Sequence, residues 1–131
     1  MKKILLPLVA LAFATPAAAQ SIVVTGAEDN DSAPLSVAYE ELMAGKNALA
    51  LDKLTHSKID PQDPSRLINL GTAYARLGHK AEAAGAYKAA ITSSIRYDVE
   101  LANGDYMDSR WAARTALANL DQGKPLLALA R

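Results

Sequence analysis

The segment PSRLINLGTAYARLGHKAEAAGAYKAAITSSIRY spans Pro64 to Tyr97. Apolar and small residues recur in it at helical spacing, on both sides of a turn-forming sequence (LGH) at 77–79. This pattern predicts two amphipathic helices joined by a tight turn. The periodic positions are Leu67, Leu70, Gly71 and Tyr74 in the first helix and Ala83, Ala86, Tyr87, Ala90 and Ile91 in the second. We expect the small residues to lie where the helices approach closely, with the large ones filling the gaps between them.

These residues resemble one tetratricopeptide repeat, which is a 34-residue antiparallel helix pair. With Pro64 as the first position of the repeat, all seven signature positions of the family carry matching residues, namely Leu67, Leu70, Gly71, Tyr74, Ala83, Tyr87 and Ala90. Ile95 departs from the family pattern, because proline usually stands there. The resemblance implies a helical repeat fold and a binding activity.

The segment 31–63 resembles a second and more degenerate repeat. Its first helix is expected to begin at Asp31 or Ser32, either of which can cap it. Pro34 is favoured in the first turn of that helix, and Gly45 in the turn that follows it. The positions that match the family are Ala38, Ala50 and Leu54, whereas Glu41 stands where an aromatic residue or leucine is usual.

The segment 97–107 interrupts the helical pattern. Apolar and polar residues alternate at its start, and Asn103-Gly104 is a strong signal for a two-residue turn. One interpretation is a small β-hairpin with Leu101 opposite Tyr106, and the other is an ordered loop.

Residues 108–130 are expected to form a capping unit that resembles a third repeat only weakly. Asp108 or Ser109 begins its helix and Gly123 ends it. Pro125 then starts a final short turn. The predicted fold class is therefore all-α: a short solenoid of two helix pairs, over residues 34–130, that ends in a capping helix.

The first 19 residues have the pattern of a secretory signal peptide. Lys2 and Lys3 precede an apolar run over 4–13, and small residues follow it. Cleavage is expected before Gln20. An uncleaved anchor is the alternative, although the run is shorter than the roughly 20 residues that cross a bilayer. We therefore expect a periplasmic or secreted protein.

Charge and cysteine content exclude several classes of protein. Removing Lys2 and Lys3 from the 14 basic residues leaves 12 against 14 acidic ones, a net charge of −2. No basic excess is left to attract nucleic acid or an anionic membrane. The chain has no cysteine, which excludes disulfides and thiol nucleophiles. Surface positions are expected for His56 and His79, and no metal, cofactor or catalytic residue is predicted.

Residues 20–33 are predicted to form a flexible, extended N-terminal arm. The run Ile22-Val23-Val24 has strand propensity, but the sequence suggests no strand for it to pair with. The sequence SIVVTG over 21–26 also resembles the TonB box of TonB-dependent outer-membrane receptors. That resemblance implies a TonB-like contact through Ile22, Val23 and Val24 by β-strand addition. A plain disordered leader is the alternative.

The tetratricopeptide resemblance also implies a site for a partner, because the first helix of each pair lines a concave groove in that family. The residues carried over to this groove are Leu35, Tyr39, Leu42, Met43, Ile68, Thr72 and Arg76. They would form an apolar patch beside one positive charge, which suits an unidentified peptide or protein. Leu35 and Leu42 are instead core residues if the register of the first repeat is off by one.

Two functional hypotheses follow. The first is a non-catalytic interaction module that binds a peptide or protein partner on the concave face. The alternative is a structural or assembly subunit that self-associates through its helical faces. Trp111 is relevant to the alternative, because a lone tryptophan near a helix start either anchors an interface or covers the end of the stack.

Overall fold

The computed structural model describes Ile22, Val24 and residues 37–123. Helices account for 61% of the described residues, so the mostly helical class is confirmed, and a small antiparallel sheet accompanies them. The elements are α1 (Tyr39–Met43), α2 (Asn47–Thr55), α3 (Pro64–Arg76), α4 (Lys80–Thr92), β1 (Asp98–Glu100), β2 (Tyr106–Asp108) and α5 (Ser109–Gln122). The predicted signal peptide, Leu35 and the predicted final turn after Pro125 lie outside the described residues.

The antiparallel pair α3 and α4 forms as predicted. Asp63 caps α3 by accepting a hydrogen bond from the backbone N–H of Arg66 at 2.9 Å, and Pro64 occupies the first helical turn. Gly78 provides the positive φ, +84°, that the turn between the helices requires. α3 also packs against α1, α2 and α5, so it is the central helix of the described fold.

The described part of the first helix of the degenerate repeat begins at Tyr39. Ala38 has φ +57° and ψ +31°, a left-handed conformation that no right-handed helix contains, so no helix runs through this position. Next to this residue, the carbonyl of Val37 accepts a hydrogen bond from Nδ2 of Asn69 on α3 at 2.8 Å. A contact with α3 thus accompanies the break in the helical pattern. The predicted helix start over 31–34 lies outside the described residues.

Glu41, the departure from the family pattern, is buried at the contact between α1 and α2. Its carboxylate forms an ion pair with Nζ of Lys53 on α2. The Lys53 hydrogen bond holds the pKa of Glu41 below its ordinary value. The two short helices are thus joined by charge as well as by a small apolar cluster, whose buried members are Val37, Ala38, Leu42, Ala50, Leu54, Ile59 and Ala73.

The segment after α4 forms the β-hairpin, with a register one residue away from the prediction. Glu100, not Leu101, lies opposite Tyr106. Leu101 instead donates its N–H to the carbonyl of Asp105 at 2.7 Å, which leaves a three-residue loop ending in Gly104 at φ +86°. The longer loop places Val99 and Leu101 in the core and leaves Tyr106 exposed.

The C-terminal helix has the predicted start and end. Asp108 accepts hydrogen bonds from the backbone N–H groups of Arg110 and Trp111, both at 3.1 Å, and Gly123 ends the helix at φ +60°. The helix packs on α4 and α3. The larger core lies among these elements, and its buried members are Ile22, Val24, Leu67, Ile68, Ala83, Tyr87, Ala90, Val99, Leu101, Ala112, Ala113 and Ala116.

Among the described residues, none of the helices is both long enough and apolar enough to cross a membrane.

Candidate functional site

Two polar side chains on the central helix hold the N-terminal segment of the chain. Asn69 and Thr72 are three residues apart on α3, so their side chains lie on the same face of the helix. Both are completely buried. Their hydrogen bonds reach the backbone of Val24 and Ile22, which lie 45 and 50 positions earlier in the sequence. We call this face of α3, together with the neighbouring β1, the α3 site.

The carboxamide of Asn69 pairs with the backbone of Val24 at two points. Its Oδ1 accepts the N–H of Val24 at 2.8 Å, and its Nδ2 donates to the carbonyl of Val24 at 2.7 Å. A neighbouring β-strand would offer the same pair of groups. The second N–H of Nδ2 serves Val37, so both amide hydrogens of this buried side chain are used.

The hydroxyl of Thr72 holds the segment at a second point, Ile22, two residues before Val24. It donates to the carbonyl of Ile22. A hydroxyl has a single hydrogen, so the hydroxyl of Tyr87 on α4 must donate to Thr72, at 3.1 Å. Burial raises the pKa of Tyr87 to about 12. The phenol therefore stays protonated, and remains a donor, at all physiological pH values.

The segment also extends the β-hairpin. Val24 forms an antiparallel bridge with Leu101, the residue that follows β1. Ile22 and Val24 are 5% and 0% exposed and belong to the larger core. The prediction of a flexible arm is therefore wrong for these two residues. That prediction found no strand for the segment to pair with, because the pairing residue, Leu101, comes much later in the sequence.

The sequence prediction missed Asn69 altogether. The signal that could have found it is polarity, since Asn69 and Thr72 interrupt the apolar face of the best-matched helix at helical spacing. Buried polar side chains require hydrogen-bond partners. Neither the helix itself nor α4 offers enough of them, so the presence of both residues indicates a third element docked on this face.

Six of the seven predicted site residues are described by the structure, and these six do not form one open surface. Ile68 and Thr72 are both 0% exposed, so they line no open groove. Leu42 is 1% exposed within the smaller cluster, in agreement with the core alternative. Met43 is 54% exposed, and Tyr39 is half-buried against the smaller cluster.

Arg76 joins α3 to the first helix pair. Its Nη1 donates to the carbonyl of Leu42 at 2.6 Å and lies 3.5 Å from Oδ1 of Asn47. Burial lowers the pKa of Arg76, but a guanidinium stays charged at neutral pH even so. The charge predicted to face a partner is therefore engaged within the fold.

A second polar cluster fastens the hairpin to the start of α3. The hydroxyl of Tyr97 donates to Oδ2 of Asp63 at 2.9 Å, and Oγ of Ser65 lies 2.8 Å from the same hydroxyl. Burial raises the pKa of Tyr97 to about 12. This cluster ties the residue that precedes β1 to the start of α3.

The described residues contain no group of three or more histidine and carboxylate side chains able to hold a metal ion. His56 lies 3.2 Å from Asp52 and His79 lies 4.0 Å from Glu82, and all four side chains are exposed.

The largest exposed aromatic side chains lie around the start of α5. Trp111 is 58% exposed and Tyr106 is 70% exposed.

No family model matches the chain, and neither a curated protein nor a solved structure matches it significantly.

Proposed function

We propose that this protein is a non-catalytic, periplasmic interaction module, similar to tetratricopeptide-repeat proteins, that binds an extended segment of a partner protein along α3. The observation that carries the proposal is the clamp of Asn69 and Thr72 on the backbone of Ile22 and Val24. Buried polar side chains require hydrogen-bond partners, and here the backbone of a single segment supplies them for both residues.

The tetratricopeptide resemblance supports the same site. Thr72 is one of the residues that it assigns to the ligand-binding groove, and Asn69 lies on the same helix face. The pair α3 and α4, joined by a short turn, packs together closely, and α2 also packs on α3. A short solenoid built on α3 would present this face to a peptide.

The proposed compartment rests on the signal-peptide pattern of residues 1–19. An exported chain without cysteine depends on helix packing for stability, which agrees with the close packing of α3, α4 and α5.

A full-length bait, crosslinked in a periplasmic extract, tests the proposal. The bait carries Ile22→Asp and Val24→Asp, so that its own N-terminal segment does not compete for the site. We expect this bait to capture a specific protein that is lost when Thr72→Val, which removes the hydroxyl at nearly constant volume, is added. Thr72→Ser is the matched control, because it retains the hydroxyl and should retain capture. Capture that survives Thr72→Val, in a variant with unchanged helicity, would overturn the assignment of the partner to α3.

Self-association is the second candidate function, and the exposure of Trp111 and Tyr106 favours it. Aromatic residues of this kind are enriched at interfaces. Light scattering on the full chain distinguishes the two functions. A dimer or longer assembly that dissociates on Trp111→Ala supports an assembly subunit, and a monomer at all concentrations excludes it.

A TonB-like contact through Ile22, Val23 and Val24 is a further proposal for the same segment. β-strand addition to such a partner requires Ile22 and Val24 to leave the core, where both are buried. A pull-down with a periplasmic TonB domain, comparing the full chain with a variant lacking residues 20–26, tests it. Equal recovery of both proteins would contradict the contact.

A further inference from the structure

We infer that the N-terminal segment around Ile22 and Val24 is an exchangeable internal ligand of the α3 site, and that the partner supplies an extended segment with β-branched apolar residues at alternate positions. The inference rests on the proposed function and identifies the kind of partner and the way in which the site is regulated. Three properties of the contact support the inference. They are the pattern of the buried side chains, the use of backbone groups for hydrogen bonding, and the polar residues of α3 and α4 that lie beneath the segment.

The first property defines the side chains that the site accepts. Ile22 and Val24 are two residues apart in an extended segment, so both side chains point to the same side. Both are buried in one cluster with Ile68, Val99 and Leu101. The site therefore has two apolar positions separated by one residue, and β-branched side chains suit them because they favour extended backbone.

The second property makes the rest of the recognition independent of sequence. In the described part of the segment, Asn69 and Thr72 form hydrogen bonds with backbone groups: the N–H and carbonyl of Val24 and the carbonyl of Ile22. Any extended chain offers these groups. Proline at the position of Val24 is the exception, because it lacks the N–H that Oδ1 of Asn69 accepts.

The third property allows the segment to leave. When it does, Asn69, Thr72 and the hydroxyl of Tyr87 are uncovered on a polar floor that water can hydrate. An unpaired polar group is costly only while it remains buried away from water. Opening this site therefore costs less than uncovering an entirely apolar floor of the same area.

Covalent linkage gives the internal segment an advantage over any partner. Residues 25–36 connect it to the rest of the domain, so it competes at an effective concentration on the order of millimolar. A partner segment must overcome this competition by mass action or by further contacts. The wild-type chain is thus the self-occupied state of the site.

A peptide-binding experiment on the full chain tests the inference. The probe is a fluorescently labelled peptide of residues 20–26 (QSIVVTG), and the readout is its fluorescence anisotropy. The receptor is the full chain carrying Ile22→Asp and Val24→Asp, which vacates the site by placing charges at both apolar positions. We expect the vacated chain to bind the peptide at least about tenfold more tightly than wild type does, because the internal competitor is gone.

Two controls locate the binding. A peptide with Val24→Pro should not bind the vacated chain. Adding Thr72→Val to the vacated chain should weaken binding of the wild-type peptide by about tenfold, the loss expected for one hydrogen bond in a buried site. Absence of binding to a vacated chain of native helicity overturns the inference, and so does equal binding of the proline peptide.

Hydrogen exchange on wild type covers the case in which the vacated chain fails to fold. The amide of Val24, which is bonded to Asn69, should exchange by a local opening, faster than the core amides of α3 and α4. Exchange of this amide only by global unfolding overturns the inference. Another outcome is that wild type forms a dimer that dissociates when Ile22 and Val24 are replaced. The segment of one copy would then occupy the α3 site of another, and the inference of a different partner protein would be overturned. If the segment does not leave the site but partner capture still depends on Thr72, the inference is overturned and the proposed function remains.

Discussion

A β-carbon placed on Gly71 would lie 2.5 Å from Cε1 of Tyr87, closer than side-chain carbons approach one another. α3 and α4 therefore meet at this point with the Tyr87 ring directly against the backbone of α3. The ring is 1% exposed and its hydroxyl is hydrogen-bonded to Thr72, so it cannot swing aside.

Gly71→Ala should therefore destabilise the protein. Alanine favours a helix over glycine by about 1 kcal/mol, but overpacking a buried contact costs about 1–3 kcal/mol or more, and here the obstacle is a fixed ring. We expect a lower free energy of unfolding in urea. Gly85→Ala on α4 is the matched control, because no atom lies within 4 Å of the added carbon, and it should stabilise the fold. A neutral or stabilising Gly71→Ala would contradict the packing described.

Thr72→Val should loosen the N-terminal segment and lower stability. The variant removes the donor to the carbonyl of Ile22 and the acceptor for Tyr87, and it leaves both groups buried. Leaving a buried polar group unpaired costs about 1–3 kcal/mol. Thr72→Ser should lose much less. Thermal unfolding of the three proteins checks this order, and equal melting temperatures would show that the hydroxyl is not engaged.

Stability should fall at alkaline pH because of Tyr87 and Tyr97. Burial raises the pKa of both from an ordinary 10.0 to about 12. The unfolded chain therefore loses these protons first, so the contribution to stability is complete below pH 10 and is lost as the pH rises toward 12. Tyr87→Phe should show a shallower fall over this range. Urea unfolding at several pH values measures the slope, and an unchanged slope would place the Tyr87 phenol in water.

Asp108 should contribute to stability both as a helix cap and as a charge. Its carboxylate accepts the N–H groups that begin α5 and forms an ion pair with Arg96 at 2.6 Å. Asp108→Ala should cost about 0.5–2 kcal/mol, the usual value of a cap. Asp108→Asn keeps the cap and should cost much less, since an exposed ion pair contributes little.

Acid unfolding separates the two roles of Asp108. The Arg96 hydrogen bond lowers the pKa of this carboxyl below its ordinary 3.8. The charge therefore stabilises the fold above that pH, and its contribution is lost as the pH falls further. Wild type should therefore lose slightly more stability than Asp108→Asn as the pH falls through this range, since the ion pair is exposed. The same acid dependence in both proteins would assign the effect to other carboxylates.

Local patterns were sufficient to predict α3, the turn at Gly78, α4 and the limits of α5. Each depends on interactions within a few residues: apolar periodicity, the caps at Asp63 and Asp108, and a glycine at positive φ. The close approach of α3 and α4 at Gly71 followed from the same pattern, since the small and large residues are already placed at helical spacing.

The hairpin shows where local reasoning stops. Asn103-Gly104 correctly indicated a turn. Both a two-residue loop over 103–104 and a three-residue loop over 102–104 contain this pair, so the pair does not decide the register. The register depends on which side chains enter the core. Burial of Val99 and Leu101 selects the three-residue loop, with Gly104 at φ +86°.

The candidate site depends on contacts between distant parts of the chain. Asn69 and Val24 are 45 positions apart, and no local pattern states that a carboxamide on a helix will replace a β-strand as the partner of an extended segment. The same carboxamide also bonds to the carbonyl of Val37, just before α1 begins. The sequence specified the helices, because their hydrogen bonds close within one turn. The packed fold specified which face of α3 is covered and what covers it, because those bonds form only once distant segments come together.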